Sequence, residues 1–250
     1  MRKDVESLLK NRKRYYSQKG EDGLLEFILS KIPEKTKWCV EFGAWDGKYL
    51  SNTFYFISKK NYKSVLIEGD PEKAQILSGN MKDYGSVCIN KFVDFKGENT
   101  LDNILMTTAI PNDFDLLSID IDGNDLQIWE SLQNYMPKVV IIEINVRDKP
   151  NVERINNPNS GFVWGESGSS IKSMTELADK KGYSLLANIS CNVIYIKKEY
   201  LKYFYDRPVT PDDVFLYEGH SFRELTSAEI QKIGWKKSFV RALKSFYPQK

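Results

Sequence analysis

The sequence lacks several features that would place the protein in familiar classes. It has only three cysteines and one histidine in 250 residues. Cys39, Cys88 and Cys191 lie far apart, so they form no zinc motif, and their usage is typical of free thiols in a reducing compartment. No apolar run is long enough to span a bilayer, and residues 1–4 (MRKD) lack the apolar core of a signal peptide. These absences predict a cytoplasmic protein without a transmembrane segment.

The sequence also lacks a strong excess of either charge. Its 36 basic and 34 acidic residues give a net charge of +2, which argues against a nucleic-acid partner. Basic residues nevertheless gather in residues 10–14 and in residues 231–250, and the second segment contains no acid. We interpret both as solvated termini, with attraction to an acidic substrate or a membrane surface as the alternative.

What the sequence does have is an alternation of short apolar runs with longer amphipathic ones. The apolar runs are continuous, as expected for strands covered on both faces, and their repetition with helices implies a parallel sheet. The last two lie close together, which implies an antiparallel pair at the sheet edge. The predicted strands are residues 38–42, 64–68, 86–90, 114–120, 139–143, 183–187 and 192–197. The predicted helices are residues 51–60, 71–81, 100–106, 125–134 and 170–181.

The predicted fold class is therefore α/β, with a Rossmann-like, seven-stranded, mostly parallel sheet, helices on both faces and an antiparallel edge strand. We expect one domain over residues 1–200, with residues 1–35 as a helical lead-in. Residues 201–250 are expected to form a partly helical, basic appendage.

An irregular stretch at residues 146–169 interrupts the alternation. It is rich in Asn, Pro, Gly and Ser and contains Phe162 and Trp164. Long irregular stretches inside compact domains are often binding loops. The two aromatic rings are therefore expected either to close over a bound ring or to pin the loop to the core.

Residues 41–47 (EFGAWDG) follow the first predicted strand and precede a helix. Gly43 and Gly47 permit a tight turn and close approach of a ligand to the backbone. The spacing is G-x-x-x-G rather than the G-x-G-x-x-G that presents amides to a pyrophosphate. Glu41 and Asp46 would repel phosphate, so the loop favours a ligand that carries an ammonium group.

A second acidic turn, Glu68-Gly69-Asp70, ends the second predicted strand. An acidic side chain at this place in a Rossmann-like sheet can accept hydrogen bonds from both hydroxyls of a ribose. The two turns lie about 25 residues apart in the expected order, and together they are more specific than either alone. The alternative is an α/β domain in which both turns are structural.

Three segments resemble the motifs of class I S-adenosylmethionine-dependent methyltransferases, namely residues 41–47, 66–68 (LIE) and 117–123 (LSIDIDG). The similarity is closest to the FkbM-like group, because residues 16–22 (YSQKGED) also resemble the stretch before the first strand of those proteins. The resemblance covers about residues 15–198 and implies S-adenosylmethionine as the cofactor.

The resemblance also implies roles for particular residues. Glu41, Gly43 and Asp46 would hold the methionine and ribose parts, Glu68 would hold the ribose, and residues 90–94 would flank the adenine. The full set of cofactor-binding residues that it implies is Gln18, Glu41, Gly43, Ala44, Asp46, Asn52, Glu68, Gly69, Asp94 and Asp120.

A third group of acids follows the fourth and fifth predicted strands. Side chains two apart on a strand share a face, so Asp120 and Asp122 should point together, near Glu143 and Asn145 on the neighbouring strand. Two outcomes are predicted for such crowded carboxylates. Asp120, Asp122 and Glu143 could bind Mg²⁺ or another divalent cation, or one of them could act as a general base. In the structural alternative, Asp122 caps the next helix and Asp120 binds backbone amides.

The only histidine, His220, is a further candidate base, because histidine titrates near neutral pH. The alternative is a surface or structural residue in the appendage. The candidate catalytic residues are thus Asp120, Asp122, Glu143 and His220.

The sequence therefore predicts an S-adenosylmethionine-dependent methyltransferase that O-methylates a sugar or a sugar-linked small molecule. The expected setting is the biosynthesis of a surface glycan (capsule) or a natural product, and the expected partner is a small-molecule acceptor such as a sugar or nucleotide-linked sugar. Self-association into a homo-oligomer is left open. The alternatives are an NAD or nucleotide-sugar enzyme on a similar sheet, or a binding module without turnover.

Overall fold

The computed structural model describes residues 1–121, 123–159 and 167–215. The described residues belong to one compact unit. Among them, no helix is both long enough and apolar enough to cross a membrane. Asp122, His220, Phe162 and Trp164 lie outside the described residues, and so does the basic segment 231–250.

The core of the unit is a seven-stranded sheet in the order β3-β2-β1-β4-β5-β7-β6. Strands β1 to β5 run parallel to one another, whereas β7 is antiparallel to both β5 and β6. The strands are β1 (Trp38–Phe42), β2 (Lys63–Glu68), β3 (Val87–Asn90), β4 (Leu116–Ile119), β5 (Val139–Glu143), β6 (Tyr183–Ile189) and β7 (Asn192–Lys197).

Eight α-helices surround this sheet in the described part of the chain. They are α1 (Lys3–Leu9), α2 (Glu21–Lys31), α3 (Phe54–Lys60), α4 (Pro71–Met81), α5 (Leu101–Leu105), α6 (Asp125–Ser131), α7 (Ile171–Lys180) and α8 (Pro211–Val214). Short 3-10 turns occur at residues 82–84, 97–99 and 198–203.

The predicted fold class is confirmed. The central strands are almost completely buried, in keeping with their continuous apolar sequences. Right-handed crossovers lead outward from β1 in two directions, which places helices on both faces of the sheet. The antiparallel pair lies at the sheet edge, where β6 is the outermost strand and β7 lies one place inside it.

Several helix starts follow from the local sequence. Asp70 caps α4 by accepting a hydrogen bond from the Lys73 amide at 2.9 Å, and Pro71 occupies the first helical turn. Ser170 caps α7 in the same way, and Gly182 follows its end with φ +84°. These two helices were predicted with the correct starts.

Two predicted elements differ from the structure in ways that affect the site. Strand β4 ends at Ile119 rather than at residue 120. Asp120 therefore follows the strand and does not belong to it, and the predicted shared face of Asp120 and Asp122 stays a prediction. Helix α3 begins at Phe54 rather than at residue 51, because residues 51–53 bind the carboxylate of Glu41 instead.

The strand order reverses between β1 and β4. Strands β2 and β3 lie on one side of β1, and strands β4 and β5 lie on its other side. In open α/β sheets, ligands bind outside the carboxyl ends of the strands at such a switch point. A ligand-binding site is therefore expected at the loops after β1, β2 and β4.

Candidate functional site

The turn after β1 contains a glycine, Gly43, at a position where no other residue fits. Gly43 adopts φ +74°, and a side-chain carbon there would overlap the backbone oxygen of Asp120 at the end of β4. Gly43 is itself exposed. The backbone of this turn is thus bare to solvent between β1 and β4, where a ligand can approach it closely.

The second glycine of the turn, Gly47, meets a different need. Its φ is +77°, and an added carbon would lie 2.6 Å from Leu77 and 2.9 Å from Met81, both on α4. Gly47 is buried. It therefore allows the turn to pack against α4 and does not face a ligand.

The carboxylate of Glu41 binds groups of the protein itself. Its oxygens accept hydrogen bonds from the Ser51 hydroxyl at 2.6 Å, the Thr53 hydroxyl at 2.7 Å and the Asn52 amide at 2.9 Å. Burial raises the pKa of Glu41, and these bonds oppose that rise. The side-chain amide of Asn52 continues the network to the Ser118 hydroxyl on β4, at 3.1 Å. Glu41 thus fixes the segment before α3, and its predicted contact with a cofactor stays a prediction.

Asp46 and Ala44 shape the same turn. One carboxylate oxygen of Asp46 accepts the amides of Lys48 at 2.9 Å and Tyr49 at 2.7 Å. The amide of Ala44 donates to the Ile67 oxygen on β2 at 3.2 Å. These bonds tie the turn to itself and to β2, and they leave the second oxygen of the half-buried Asp46 as the one that a ligand would meet.

Glu68 connects the turn after β1 with the end of β2. One carboxylate oxygen accepts the Trp45 amide and the other the Asp70 amide, both at 2.9 Å. The side chain is 8% exposed. A carboxylate offers about four acceptor sites, so two remain for donors such as the hydroxyls of a ribose. The residues at this strand end therefore fit the ribose role that the sequence predicts.

The segment after β3 lies next to Glu68. The side-chain amide of Asn90 donates to the backbone oxygens of Glu68 at 2.8 Å and Gly69 at 3.0 Å. A side chain on Gly69 would overlap the ring of Phe92, which is 67% exposed. Phe92 thus presents an aromatic face close to the end of β2.

An open cleft of about 330 Å³ begins beyond this segment, at Asp94. Its other lining residues are Val93, Phe95, Lys96, Asn124, Ile128, Pro158 and Asn159. One oxygen of Asp94 accepts the Phe95 amide at 2.7 Å. The predicted adenine-flanking segment therefore borders a cleft that the segments after β3, β4 and β5 line together.

The loop after β4 is held by a residue that the sequence reasoning missed. The carboxylate of Asp125 accepts the Ile121 amide at 3.0 Å and the Gly123 amide at 2.8 Å, and Asp125 is 2% exposed. Helix α6 begins at this residue. Its position at the start of a helix, two residues after a glycine, was the available signal.

The predicted acid group is only partly described. Asp120 is exposed just after β4, and Glu143 is half-buried at the end of β5. Asn145 is buried and donates to the Ser167 oxygen at 2.8 Å. Within the described ranges, no three His, Cys, Asp or Glu residues are grouped so that they could hold a metal ion. The predicted trio includes Asp122, outside those ranges, and stays a prediction.

The segment 15–22, in which the FkbM-like resemblance begins, is built around Asp22. Its buried carboxylate accepts the amides of Tyr15, Ser17 and Gly23 and the Ser17 hydroxyl. Ser17 also pairs with Leu50, after the turn that contains Gly43. These contacts place the exposed Gln18 in a segment that is fixed beside the site.

Comparisons with known proteins give remote likenesses. No protein-family model and no curated protein matches the sequence. An O-methyltransferase from Bacillus cereus in complex with SAH is 16% identical, with a TM-score of 0.47 over 79% of this chain and 92% of that chain. The O-methyltransferase TomG from Streptomyces achromogenes, in complex with SAM, is 13% identical, with a TM-score of 0.45 over 78% and 87%.

The SAH-bound methyltransferase PaMTH1 from Podospora anserina is 15% identical, with a TM-score of 0.43 over 78% of this chain and 86% of that chain. Likenesses at this level do not carry a fold, ligand or activity over to this chain. Function is therefore inferred from the residues at the switch point.

Proposed function

We propose that this chain is an S-adenosylmethionine-dependent methyltransferase that O-methylates a sugar or sugar-linked small molecule in surface glycan or natural-product biosynthesis. The observation that carries the proposal is the pairing of an exposed glycine turn with an oriented carboxylate. Gly43 leaves bare backbone at the switch point, and the Trp45 and Asp70 amides fix the Glu68 carboxylate beside it.

The charge of this site supports a cationic ligand over a phosphate. Asp46 lies on the turn, and Glu68 and Asp70 lie at the end of β2. A pyrophosphate would meet these carboxylates where a dinucleotide site presents free amides. Because the amides of Trp45 and Asp70 already donate to Glu68, they are not available to a phosphate. The NAD and nucleotide-sugar alternatives are therefore disfavoured.

S-adenosylmethionine would supply an activated methyl group for an in-line displacement, and the protein's part is to hold donor and acceptor in alignment. We assign the ribose to Glu68, the methionine end to the turn around Gly43 and Asp46, and the adenine to the segment that includes Asp94. Gln18 and Asn52 remain proposed contacts at the methionine end.

Cofactor binding is tested by calorimetry with S-adenosylhomocysteine and with NAD. We expect micromolar binding of S-adenosylhomocysteine and none of NAD. Glu68 accepts hydrogen bonds from two backbone amides. In Glu68→Gln the new side-chain NH₂ group faces one of these two donors, and the negative charge is lost. We expect at least a tenfold weaker affinity, about 1.4 kcal/mol, because hydrogen bonds to a charged acceptor contribute about 1.5–3 kcal/mol.

Glu72→Gln is the matched control, since Glu72 is an exposed acid in the first turn of α4. Its affinity should equal that of the natural chain. NAD binding in place of S-adenosylhomocysteine would refute the proposal, and equal affinities for Glu68→Gln and the control would refute the role of Glu68.

We assign removal of the acceptor proton to Asp120, which is exposed at the switch point next to Gly43. A general base contributes about 10²–10⁴-fold to a rate. Asp120→Asn should therefore lower turnover about 100-fold, whereas His220→Gln should lower it less than tenfold. The reverse result would move the base to His220.

A divalent cation held by Asp120, Asp122 and Glu143 is the second proposed way to activate the hydroxyl, by lowering its pKa. Assays before and after treatment with EDTA distinguish the two. Full turnover in the chelator would remove the cation from the proposal and leave the base.

A further inference from the structure

A second group of polar residues lies beside the switch point, at the carboxyl ends of β4 and β5. Asn192 opens β7 and pairs in register with Glu143 at the end of β5. Its side-chain nitrogen Nδ2 donates to Oε1 of Glu21 at 3.2 Å. Cys191 lies in the same group, because its backbone oxygen accepts a hydrogen bond from the Ile144 amide at 2.8 Å. Asp120 adjoins Glu143, because the residues before them, Ile119 and Ile142, pair in register.

The side-chain oxygen of Asn192 is the unusual atom of this group. Asn192 is 4% exposed, and its Oδ1 has no hydrogen-bond partner in the described part of the chain. A buried acceptor without a donor destabilises the folded protein. Such an atom in a native protein calls for an explanation, and a bound donor is one.

Glu21 determines which atom of the Asn192 side-chain amide remains without a hydrogen bond. A carboxylate only accepts hydrogen bonds, so Glu21 turns Nδ2 toward itself and leaves Oδ1 directed elsewhere. Glu21 is itself fixed, because its other oxygen accepts the Lys19 amide at 2.6 Å and the side chain is fully buried. The orientation of the Asn192 amide is therefore built into the fold.

We infer that this group is the acceptor subsite, and that Asn192 Oδ1 receives a hydroxyl or amino group on the acceptor next to the reacting hydroxyl. The inference rests on the proposed function. Within this group Asp120 is exposed, whereas Glu21 and Asn192 are buried. An acceptor that enters past Asp120 brings its donors to Oδ1 and its reacting hydroxyl toward the switch point.

The chemistry of this group limits the class of acceptor. Three carboxylates and an amide oxygen favour a group that donates hydrogen bonds, and they repel an anion. The acceptor is therefore a polyol or an amino alcohol, such as a neutral or amino sugar. An acidic sugar ring would meet like charges at this place. Asn192 determines this specificity, and Glu21 positions Asn192.

The inference is tested on the full chain loaded with S-adenosylhomocysteine, with binding of three methyl glycosides measured by saturation-transfer NMR. The probes are methyl glucoside, methyl glucosaminide and methyl glucuronide. The neutral and amino glycosides should bind at least tenfold more tightly than the glucuronide. Asn192→Leu should weaken methyl glucoside at least tenfold and leave the affinity for S-adenosylhomocysteine within twofold.

Gln127→Met is the matched control. Gln127 also has a buried amide oxygen that finds no partner among the described residues, and its nitrogen donates to the Asn156 oxygen, but it lies on α6. It should bind methyl glucoside as the natural chain does. A thermal melt of each variant verifies that the protein is folded.

Glu21→Gln tests the positioning role by a change in ligand preference, which a merely structural role would not alter. The Gln oxygen can still accept the Lys19 amide, and its new amide group then faces Asn192. Asn192 must turn its oxygen toward residue 21 and present Nδ2 to the subsite. The preference for methyl glucoside over the glucuronide should then fall at least tenfold.

Three results would overturn the inference: unchanged glucoside binding in Asn192→Leu, an unchanged preference in Glu21→Gln, or no glycoside bound to the loaded chain. Failure to bind S-adenosylhomocysteine would instead refute the proposed function, so the two failures are distinguishable.

Discussion

At the residue scale, the site consists of side chains whose neighbours decide what they can do. Glu41 and Glu68 are both acids at the carboxyl ends of adjacent strands. Glu41 is enclosed by Ser51, Asn52 and Thr53, whereas Glu68 accepts two amides and keeps further acceptor sites. The sequence presents the two acids alike, and only the packed structure separates their roles.

Gly43→Ala tests the close approach between the turn and β4. A non-glycine residue at positive φ costs about 1–2 kcal/mol, and the overlap with the Asp120 oxygen adds to it. We expect a loss of at least about 3 kcal/mol in the free energy of unfolding, measured by urea titration. Gly85→Ala is the matched control, because Gly85 has φ +65° but no atom within 4 Å of an added carbon. Equal losses in both variants would contradict the close contact.

At the element scale, the segment before α2 is held against α3 by a polar and aromatic cluster. The rings of Tyr15 and Tyr55 stack with centroids 3.9 Å apart. Both hydroxyls donate to Glu26 on α2, at 2.8 and 2.6 Å, and Lys60 forms an ion pair with it at 2.6 Å. The cluster thereby fixes the segment that contains Gln18 and Glu21.

Glu26 makes this attachment sensitive to acid. Partial burial alone would raise its pKa, but hydrogen bonds from Lys60, Tyr55 and Tyr15 outweigh it and lower the pKa from its usual 4.5 to about 2. A carboxyl group whose pKa is depressed by folding stabilises the protein above its unfolded pKa, and that stability is lost as pH falls toward the folded pKa. The loss should therefore fall between about pH 4.5 and pH 2.

Glu26→Gln isolates this effect, because all other acids titrate alike in both chains. The stability difference between the natural chain and Glu26→Gln, from urea midpoints, should be constant above pH 5 and shrink toward pH 2. A difference that does not change over this interval would contradict the pKa of Glu26.

At the scale of the whole described unit, the chain covers one edge of its own sheet. Helices α1, α7 and α8 and the turn at residues 198–203 all contact the edge strand β6. Arg2, just before α1, holds the segment that leads from this turn to α8, since its guanidinium donates to the Pro208 oxygen at 2.9 Å and lies 5.1 Å from the ring of Tyr205. Covering an edge in this way prevents pairing with another chain.

Arg2→Ala should loosen this cover. Its side chain is 13% exposed, and charge-assisted hydrogen bonds contribute about 1.5–3 kcal/mol each when buried. We expect a loss of about 1–2 kcal/mol in the free energy of unfolding and faster chymotryptic cleavage after Tyr205, whose ring packs against Arg2. Lys3→Ala is the control, since Lys3 is exposed on the same helix. Equal cleavage rates in the two variants would show that Arg2 does not hold this edge.

The sequence by itself determined the sheet and much of the frame of the site. Continuous apolar runs specify buried strands, and β1, β5 and β7 have the predicted bounds, because burial on both faces leaves little freedom in composition. The turns at residues 41–47 and 68–70 were found for a related reason: glycine and acidic residues at strand ends are local signals.

Only the tertiary structure decided how the acids are used. The internal role of Glu41, the hold of Asp125 on the loop after β4, and the meeting of Glu21 with Asn192 join residues on different elements. Glu21 and Asn192 lie 171 residues apart in the chain. A local pattern cannot register such contacts, because they depend on strand order and on where each loop packs. The sequence thus determined the glycine and acidic turns at the switch point, and tertiary packing decided which of the carboxylates bind to the protein itself.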